Sequence, residues 1–255
     1  MKITFLGTGT SQGIPVIGCD CAVCQSLDYR DKRLRTSLHL EIEGKSIVID
    51  SGPDFRQQLL QNRIQKLDAL LFTHEHQDHV AGLDDVRPFN YIQKQVMPIY
   101  AHERVLRRLR KSFDYAFAEE KYPGAPQLDV HELDGESFEV CGIEVTPVEV
   151  MHGKLPVFGF RFGKFAYVTD VNFISAASIE KLQDLDVLVL SALHHQEHHS
   201  HFTLKQACEM VKKIKPKQAF FTHFSHQVGK HAEIEPTLPP KMKMAYDGLS
   251  VWVED

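Results

Sequence analysis

The segment Thr73-His74-Glu75-His76-Gln77-Asp78-His79 is the stretch that decides the fold of this chain. It places three imidazoles and two carboxylates directly after the apolar run Leu67-Asp68-Ala69-Leu70-Leu71-Phe72, which predicts a buried strand that ends at the motif. The polar side chains would lie on the irregular backbone beyond the strand, where alternate residues need not face opposite sides. Imidazole nitrogen and carboxylate oxygen suit divalent Zn, Mn or Fe, so the segment predicts a metal site.

Three more candidate ligands each follow an apolar run elsewhere in the chain. His152 follows Val148-Glu149-Val150-Met151, Asp170 follows the run 165–169, and His223 follows the run 219–222. Because neighbouring strands of a sheet bring their carboxyl ends to one edge, these side chains can converge on one point. Each residue alone is equally well explained as a turn or surface residue. Together with the motif they provide five His and two Asp, enough for two metal ions that share a bridging carboxylate.

Length and composition limit the classes of protein to which the chain can belong. The 255 residues are 43% hydrophobic and 25% charged, as in ordinary soluble globular proteins. No apolar run approaches the ~20 residues that span a bilayer, and Met1–Gly7 predicts a first strand and not a signal peptide. We therefore expect a cytoplasmic protein with no membrane partner. The formal charge of −5 argues against broad nucleic-acid binding, although a local basic patch could bind RNA. A homodimer stays open.

Hairpins and strand–helix alternation are mixed along the chain. The pairs of runs around 43–45 and around 163–164 predict hairpins, and helices are predicted over Phe55–Gln61, Glu103–Lys111, Ala176–Leu185 and Leu204–Ile214. This mixture predicts an α/β fold with two sheets flanked by helices, and not one doubly wound sheet. We expect a single domain over residues 1–255. Residues 113–127 have no clear period, and we interpret them as a loop insertion that could act as a lid over a site.

A cluster of cysteines lies on the loop that follows Gly18. Cys19, Cys21 and Cys24 form a C-x-C-x-x-C pattern within residues 18–25. Thiolates this close favour a tetrahedral structural zinc, which needs one further ligand. Reactive or merely buried thiols are the alternative. Cys208 competes for the fourth position, but it lies within a predicted helix, where a buried thiol is the simpler interpretation.

The pattern H-x-H-x-D-H, followed by a single His, a single Asp and a late His, resembles the metallo-β-lactamase superfamily over nearly the whole chain. The resemblance implies an αββα four-layer sandwich. It also implies that one metal is held by His74, His76 and His152, that the other is held by Asp78, His79 and His223, and that Asp170 bridges them. The turn from Asp50 to Arg56 resembles the superfamily's glycine-containing turn, in which Asp50 would accept hydrogen bonds beneath the metal loop.

Three further features resemble the phosphoribosyl cyclic phosphate phosphodiesterases of the carbon–phosphorus lyase pathway. These features are the Cys loop, His226 three residues after His223, and His201 ahead of the last predicted helix. The resemblance implies a structural zinc bound by Cys19, Cys21, Cys24 and His226. It also implies that His201 serves the chemistry, as the donor of a proton to the leaving group.

These expectations define a function with several rivals. We expect a metal-dependent phosphodiesterase with two divalent ions, Zn or Mn or Fe, that hydrolyses a small, cyclic or linear, sugar or nucleotide phosphodiester. Asp78 would accept a hydrogen bond from the attacking water. A tRNA 3′-processing ribonuclease shares the metal motif, but its long basic arm is not visible in this sequence. A thiolester or lactone hydrolase has no evident use for the Cys loop, and a non-enzymatic scaffold does not explain the complete ligand set.

Overall fold

The computed structural model describes residues 1–254, in which fourteen strands form two seven-stranded sheets. In chain order the strands are β1 (Lys2–Gly7), β2 (Ser37–Ile42), β3 (Lys45–Ile49), β4 (Ala69–Leu71), β5 (Met97–His102), β6 (Leu128–Leu133), β7 (Phe138–Val140), β8 (Ile143–His152), β9 (Leu155–Phe162), β10 (Phe165–Val168), β11 (Val187–Ser191), β12 (Gln218–Thr222), β13 (Met242–Met244) and β14 (Ser250–Trp252). The first sheet has the order β14-β1-β2-β3-β4-β5-β6, and the second has the order β13-β12-β11-β10-β9-β8-β7.

Both sheets are mixed, with a parallel half and an antiparallel half. Strands β3 to β6 are parallel, and so are β10 to β13. The hairpins β2–β3, β8–β9 and β9–β10 build the antiparallel parts. Parallel strands bring their carboxyl ends to a common edge, and this edge carries the candidate ligands. The prediction of two sheets with mixed connections is confirmed.

Helices cover the outer face of each sheet. They are α1 (Phe55–Gln61), α2 (Gln77–Val80), α3 (Arg87–Gln93), α4 (Glu103–Ser112), α5 (Asp114–Phe117), α6 (Ala176–Glu180), α7 (Leu204–Ile214) and α8 (His231–Ile234). Helix α7 begins at the predicted capping box, in which Thr203 Oγ1 accepts from Gln206 N and Gln206 Oε1 accepts from Thr203 N. No helix in residues 1–254 is both long and apolar enough to cross a bilayer.

Three hydrophobic clusters fill the spaces between four layers. One cluster lies between the two sheets and includes Phe5 from the first and Phe160 from the second. Another packs α1 and α4 on the first sheet, and the last packs α6 and α7 on the second. The order helix, sheet, sheet, helix is the predicted αββα sandwich.

The segment 113–127 includes α5 and packs on the outer helical layer. Phe113 and Ala116 are buried in the cluster beneath α4, and the hydroxyl of Tyr115 donates to Asp84. None of its residues lines the cavity at the candidate ligands, within the part of the chain that the structure describes. The interpretation of this segment as a lid therefore stays a prediction that would require it to move.

Candidate active site

After β4, successive side chains of the motif still point to opposite sides as far as His76, although we expected this alternation to stop where the strand ends. His74 Nε2 lies 3.0 Å from His76 Nδ1, so both rings face one centre, whereas Glu75 and Gln77 face helix α4. His76 has an extended backbone (φ −65°, ψ 148°), which continues the period of two. The helical turn that begins at Gln77 then brings the next two side chains of the motif back to the same centre.

Asp170 lies between two groups of imidazoles and presents a different oxygen to each. Its Oδ1 is 3.2 Å from His223 Nε2 and 3.4 Å from His79 Nε2. Its Oδ2 is 3.8 Å from both His74 Nε2 and His152 Nε2. One carboxylate is thus placed to bind two cations.

The structure brings all seven candidate ligands of the centre together. Within residues 1–254 they fall into two groups, in each of which the ligand atoms lie within 4.8 Å of one another: His74, His76, His152 and Asp170 in one, and Asp78, His79 and His223 in the other. Ligands of a tetrahedral Zn are about 3.3 Å apart at ordinary bond lengths. The Nε2 atoms of His79 and His223, both in the second group, are buried without a hydrogen-bond partner, which fits a cation in that group.

Hydrogen bonds behind the imidazoles fix which nitrogen faces the centre. Asp50 Oδ2 accepts from His79 Nδ1 at 2.7 Å, and Asp50 Oδ1 accepts from Thr73 N at 2.8 Å. His152 Nδ1 donates to the carbonyl of Ser200 at 2.8 Å. The bonds of His79 and His152 leave the Nε2 atom of each ring for a metal, as in many metal sites, and the bond from Thr73 holds Asp50 in place. Asp50 is thus the acceptor that the sequence predicted.

Glycine in the turn after Asp50 lets that turn support the metal loop. A Cβ on Gly52 would lie 2.0 Å from the carbonyl oxygen of Asp78. This approach excludes any side chain at position 52. The turn therefore supports the metal loop as predicted, through close packing of the Gly52 backbone against the backbone of Asp78.

An unusual backbone conformation orients the side chains of Asp50, Asp170 and His223. Asp50, Asp170 and His223 have φ values of 65°, 52° and 63°, in the left-handed region that non-glycine residues rarely adopt. Each of the three closely follows a strand, and the reversed backbone turns the side chain across the end of the sheet. Such strain is commonly found at functional sites.

Charge within the centre favours a bound cation or proton. Burial lowers the pKa of His79, but the carboxylates of Asp78, Asp50 and Asp170 outweigh burial and raise this pKa well above its ordinary value. A divalent cation would displace the proton from His79, because metal ligands bind in their deprotonated form.

The two groups of ligands open into a cavity of about 570 Å³. His201 lies at its wall, with its ring stacked on that of His223 at 4.9 Å and 4.5 Å from that of His152. His199, which the sequence places in a His-rich loop at the rim of the site, also lines the wall, and sequence reasoning did not single out Thr10, Ser11, Gly153, Lys154, Leu155 and Ser200. The only available signal for the residues that were missed was the pair Gly153-Lys154 after the candidate ligand His152, a two-residue hairpin sequence between β8 and β9.

The cysteine loop forms a second cluster with His226. The Sγ atoms of Cys19, Cys21 and Cys24 lie 3.3, 3.4 and 3.6 Å from His226 Nδ1. Sulfur and nitrogen ligands of a tetrahedral Zn are about 3.5 Å apart, so the four residues fit that ion. The backbone N–H of Cys24 lowers the pKa of Cys21 to about 6, whereas burial raises the pKa of Cys24 to about 11. Zinc would require both as thiolates. Cys208 instead packs in the hydrophobic cluster beneath α7.

Comparison with known proteins gives the family. Residues 45–224 match the beta-lactamase superfamily domain. The αββα layers and the His and Asp clusters agree with that match, and this chain belongs to the beta-lactamase superfamily. This fold implies divalent metal ions, and the His and Asp groups of the chain fit such ions.

Among solved structures, the chain is similar over its full length to a diphosphatase of the PhnP family. The identity is 43%, the TM-score is 0.93, and the match covers 99% of this chain and 98% of that one. Zinc-bound PqqB from Methylobacterium extorquens shares the fold, with 18% identity and a TM-score of 0.82 over 99% of this chain and 100% of that one.

The chain is also similar to a curated protein of Porphyromonas gingivalis (strain ATCC BAA-308 / W83) named octanoyltransferase. The two are 41% identical over 258 residues, which cover 100% of this chain and 52% of the relative. The chain thus spans about half the length of this relative, whose name describes a protein about twice as long.

Proposed function

We propose that this protein hydrolyses a small phosphodiester at a dinuclear metal centre. The observation that carries the proposal is the position of Asp170, whose two oxygens face two separate imidazole groups at the floor of a cavity. Paired divalent cations supply Lewis acidity, which acidifies a water molecule and neutralises charge that develops on phosphoryl oxygens.

Two residues of the chain, Asp78 and His201, act on the attacking water and on the leaving group. Asp78 lines the cavity with Oδ2 at 3.3 Å from His79 Nε2, where it can accept a hydrogen bond from the attacking water. The water oxygen bonds to phosphorus as the bond from phosphorus to the leaving oxygen breaks. His201, on the cavity wall, donates a proton to that oxygen, which matters because sugar alkoxides are poor leaving groups.

Charge in the cavity governs whether His201 carries the proton that it must donate. Burial lowers its pKa to about 2, and Asp170 opposes this effect. An anionic phosphodiester in the cavity adds negative charge beside the imidazole and favours its protonated form, while the two cations of the proposed centre act in the opposite direction. On this proposal the substrate itself contributes to charging the acid.

A diphosphatase activity is the second candidate, because the relative of 43% identity bears that name. A phosphoanhydride releases a phosphate group, which departs without the help of an acid. A thiolester substrate is a further alternative, because one relative is named octanoyltransferase. The match covers 52% of that relative. A tRNA-processing ribonuclease has less support, because the structure shows no protruding basic arm in residues 1–254.

A substrate panel tests these candidates directly. Protein with a measured metal content is assayed with a cyclic ribose phosphate, a 2′,3′-cyclic nucleotide, bis-p-nitrophenyl phosphate, a nucleotide phosphoanhydride and an octanoyl thiolester. The proposal expects the highest kcat/KM with one of the sugar phosphodiesters. A preference for the phosphoanhydride or the thiolester would replace it with the corresponding alternative.

Lys154 is predicted to contribute to binding of the anionic substrate. It lies on the hairpin turn directly after His152 and Gly153, at the edge of the cavity. Lys154→Met should raise KM about fivefold with little change in kcat, the upper range for a solvent-exposed ion pair. The control is Lys164→Met, in the equivalent Gly-Lys turn of the next hairpin, away from the cavity. Equal effects of the two variants on KM would contradict the prediction.

We further propose that Cys19, Cys21, Cys24 and His226 bind a structural zinc. His226 lies three residues after the ligand His223, so this zinc would anchor the loop that carries a catalytic ligand. Closed zinc sites contribute folding free energy directly.

The structural role predicts a loss of stability from a change in the cysteine loop. Cys21→Ser should remove one zinc per chain and lower the melting temperature by about 5–10 °C, which corresponds to about 2–3 kcal/mol in a protein of this size. Zinc analysis and thermal unfolding measure both effects, and kcat should change less than stability does. Cys141→Ser, at a half-buried cysteine outside the cluster, is the control. An unchanged zinc content in Cys21→Ser would refute the site.

A further inference from the structure

Helix α4 contacts the side of the metal loop that faces away from the ligands. Arg104 Nε lies 2.7 Å from Glu75 Oε1, although its N–H is not aligned on that oxygen. With the amide of Gln77 turned so that its oxygen faces the helix, this oxygen accepts from Arg108 Nη2 at 2.7 Å and from Arg108 Nε at 3.0 Å. The two loop residues therefore each meet one guanidinium.

The spacing of the two contacts matches the geometry of helix and loop. Arg104 and Arg108 are four residues apart on one face of α4, a rise of about 6 Å. Glu75 and Gln77 flank the extended residue His76, so their side chains leave the loop on the same side. The two basic side chains can therefore reach the two loop side chains without bending either element. His74 and His76 face the metal centre on the opposite side of the loop.

Arg104 also connects the metal loop with the second sheet. Its Nη2 donates to the carbonyl of Pro156 in β9. Pro156 is paired in the hairpin with Met151, the residue before the ligand His152. One guanidinium thus joins the loop of His74 and His76, from the first sheet, to the hairpin that holds His152, from the second.

The position of α4 follows from the topology. His102 ends β5, the parallel neighbour of β4, and its Nδ1 accepts from the backbone N–H of Arg104 as the helix begins. The first turn of α4 therefore starts at the same sheet edge as the metal loop. The other arginines of the helix point elsewhere: Arg107 pairs with Glu103 on the exposed face, and Arg110 lies over the ring of Phe117.

We propose that Arg104 and Arg108 are positioning residues that hold the metal loop in its binding conformation, an inference that rests on the proposed dinuclear centre. Among the arginines of α4, Arg104 and Arg108 thereby support the metal loop, whereas Arg107 pairs on the exposed face. Partners that orient metal ligands typically contribute about 10–100-fold to metal affinity. The cation between His74, His76 and His152 should depend on Arg104 more than the cation at His79 and His223 does.

Metal titration of four variants tests the inference without using activity. Arg104→Gln, Arg108→Gln and Arg104→Lys are compared with the control Arg107→Gln, which removes a charge from the exposed face of the same helix. Binding of Zn to metal-free protein is measured by competition with a chromophoric chelator, and thermal unfolding of each metal-free variant is recorded. We expect Arg104→Gln to weaken one of the two catalytic cations by about 10–100-fold. Arg104→Lys should recover part of this loss, and Arg107→Gln should match the parent.

A double-variant cycle separates positioning from a general loss of stability. If Arg104 acts through the loop, Glu75→Gln and Arg104→Gln should be non-additive in metal affinity, since each removes the same contact. Parent affinity in Arg104→Gln, or an equal loss in Arg107→Gln, would overturn the inference. A parent protein that binds no pair of catalytic cations would instead overturn the proposed centre. If Arg104→Gln fails to fold, Arg108→Gln and Glu75→Gln test the same loop.

Discussion

Asp170→Ala is expected to remove both catalytic cations and to lower hydrolysis by about 10³-fold or more, the scale reached when one preorganised electrostatic group is lost. The reason is geometric, because Asp170 Oδ1 faces His79 and His223 while Oδ2 faces His74 and His152. Removing a ligand of only one ion would leave the other cation bound. Elemental analysis of protein purified with excess metal measures the effect, and the zinc of the cysteine cluster should be retained.

Asp186→Ala is the matched control for this prediction. Asp186 directly precedes β11 and pairs with the exposed Lys217 at 2.8 Å, at the opposite end of the second sheet. Its removal should leave metal content and rate near those of the parent. A parent protein that holds a single ion in total, when fully loaded, would contradict both the dinuclear centre and the separate zinc cluster.

His201→Ala is expected to reduce hydrolysis of a sugar phosphodiester by about 10²–10⁴-fold, the usual contribution of a general acid. The loss should be much smaller with bis-p-nitrophenyl phosphate, because p-nitrophenolate leaves without protonation. Metal content should remain that of the parent. The ratio of kcat/KM between the two substrates, in parent and variant, is the decisive measurement.

The same experiment separates the two candidate functions. For a diphosphatase, the phosphoanhydride is the best substrate and His201→Ala has only a small effect on it. His195→Ala is the control, since His195 lies six residues before His201 but donates to the carbonyl of Val228 and does not line the cavity. Equal losses on all substrates would remove His201 from the mechanism and restore the thiolester alternative.

Sequence alone determined the parts of the site that depend on local order or on simple sheet geometry. His74, His76, Asp78 and His79 are close in space because they lie within six positions of one another after a buried strand. The strand-end residues His152, Asp170 and His223 could be added because parallel strands bring their carboxyl ends to one edge. The αββα fold followed from hairpins mixed with strand–helix units and from the superfamily resemblance.

Sequence reasoning was less accurate at sheet edges and helix ends. It missed β6, β7 and β13, which are short or partly polar strands at or near the sheet edges, where one side lacks the apolar pattern. It extended α6 from Ala176 to Leu185, whereas the α-helix ends at Glu180. Such boundaries depend on packing against neighbours, which local pattern does not record.

Tertiary structure decided how the side chains are aimed and what surrounds them. The local pattern does not record the left-handed backbone at Asp170 and His223. The division of the Asp170 oxygens between two groups and the place of Lys154 in the cavity wall depend on residues far apart in the chain. The same is true of Arg104, whose partners Glu75 and Pro156 are 29 and 52 positions away in the chain. Residue type and spacing identify the ligands of a metal, but the distances between residues far apart in sequence are set by how the layers pack, and that packing is a property of the whole fold.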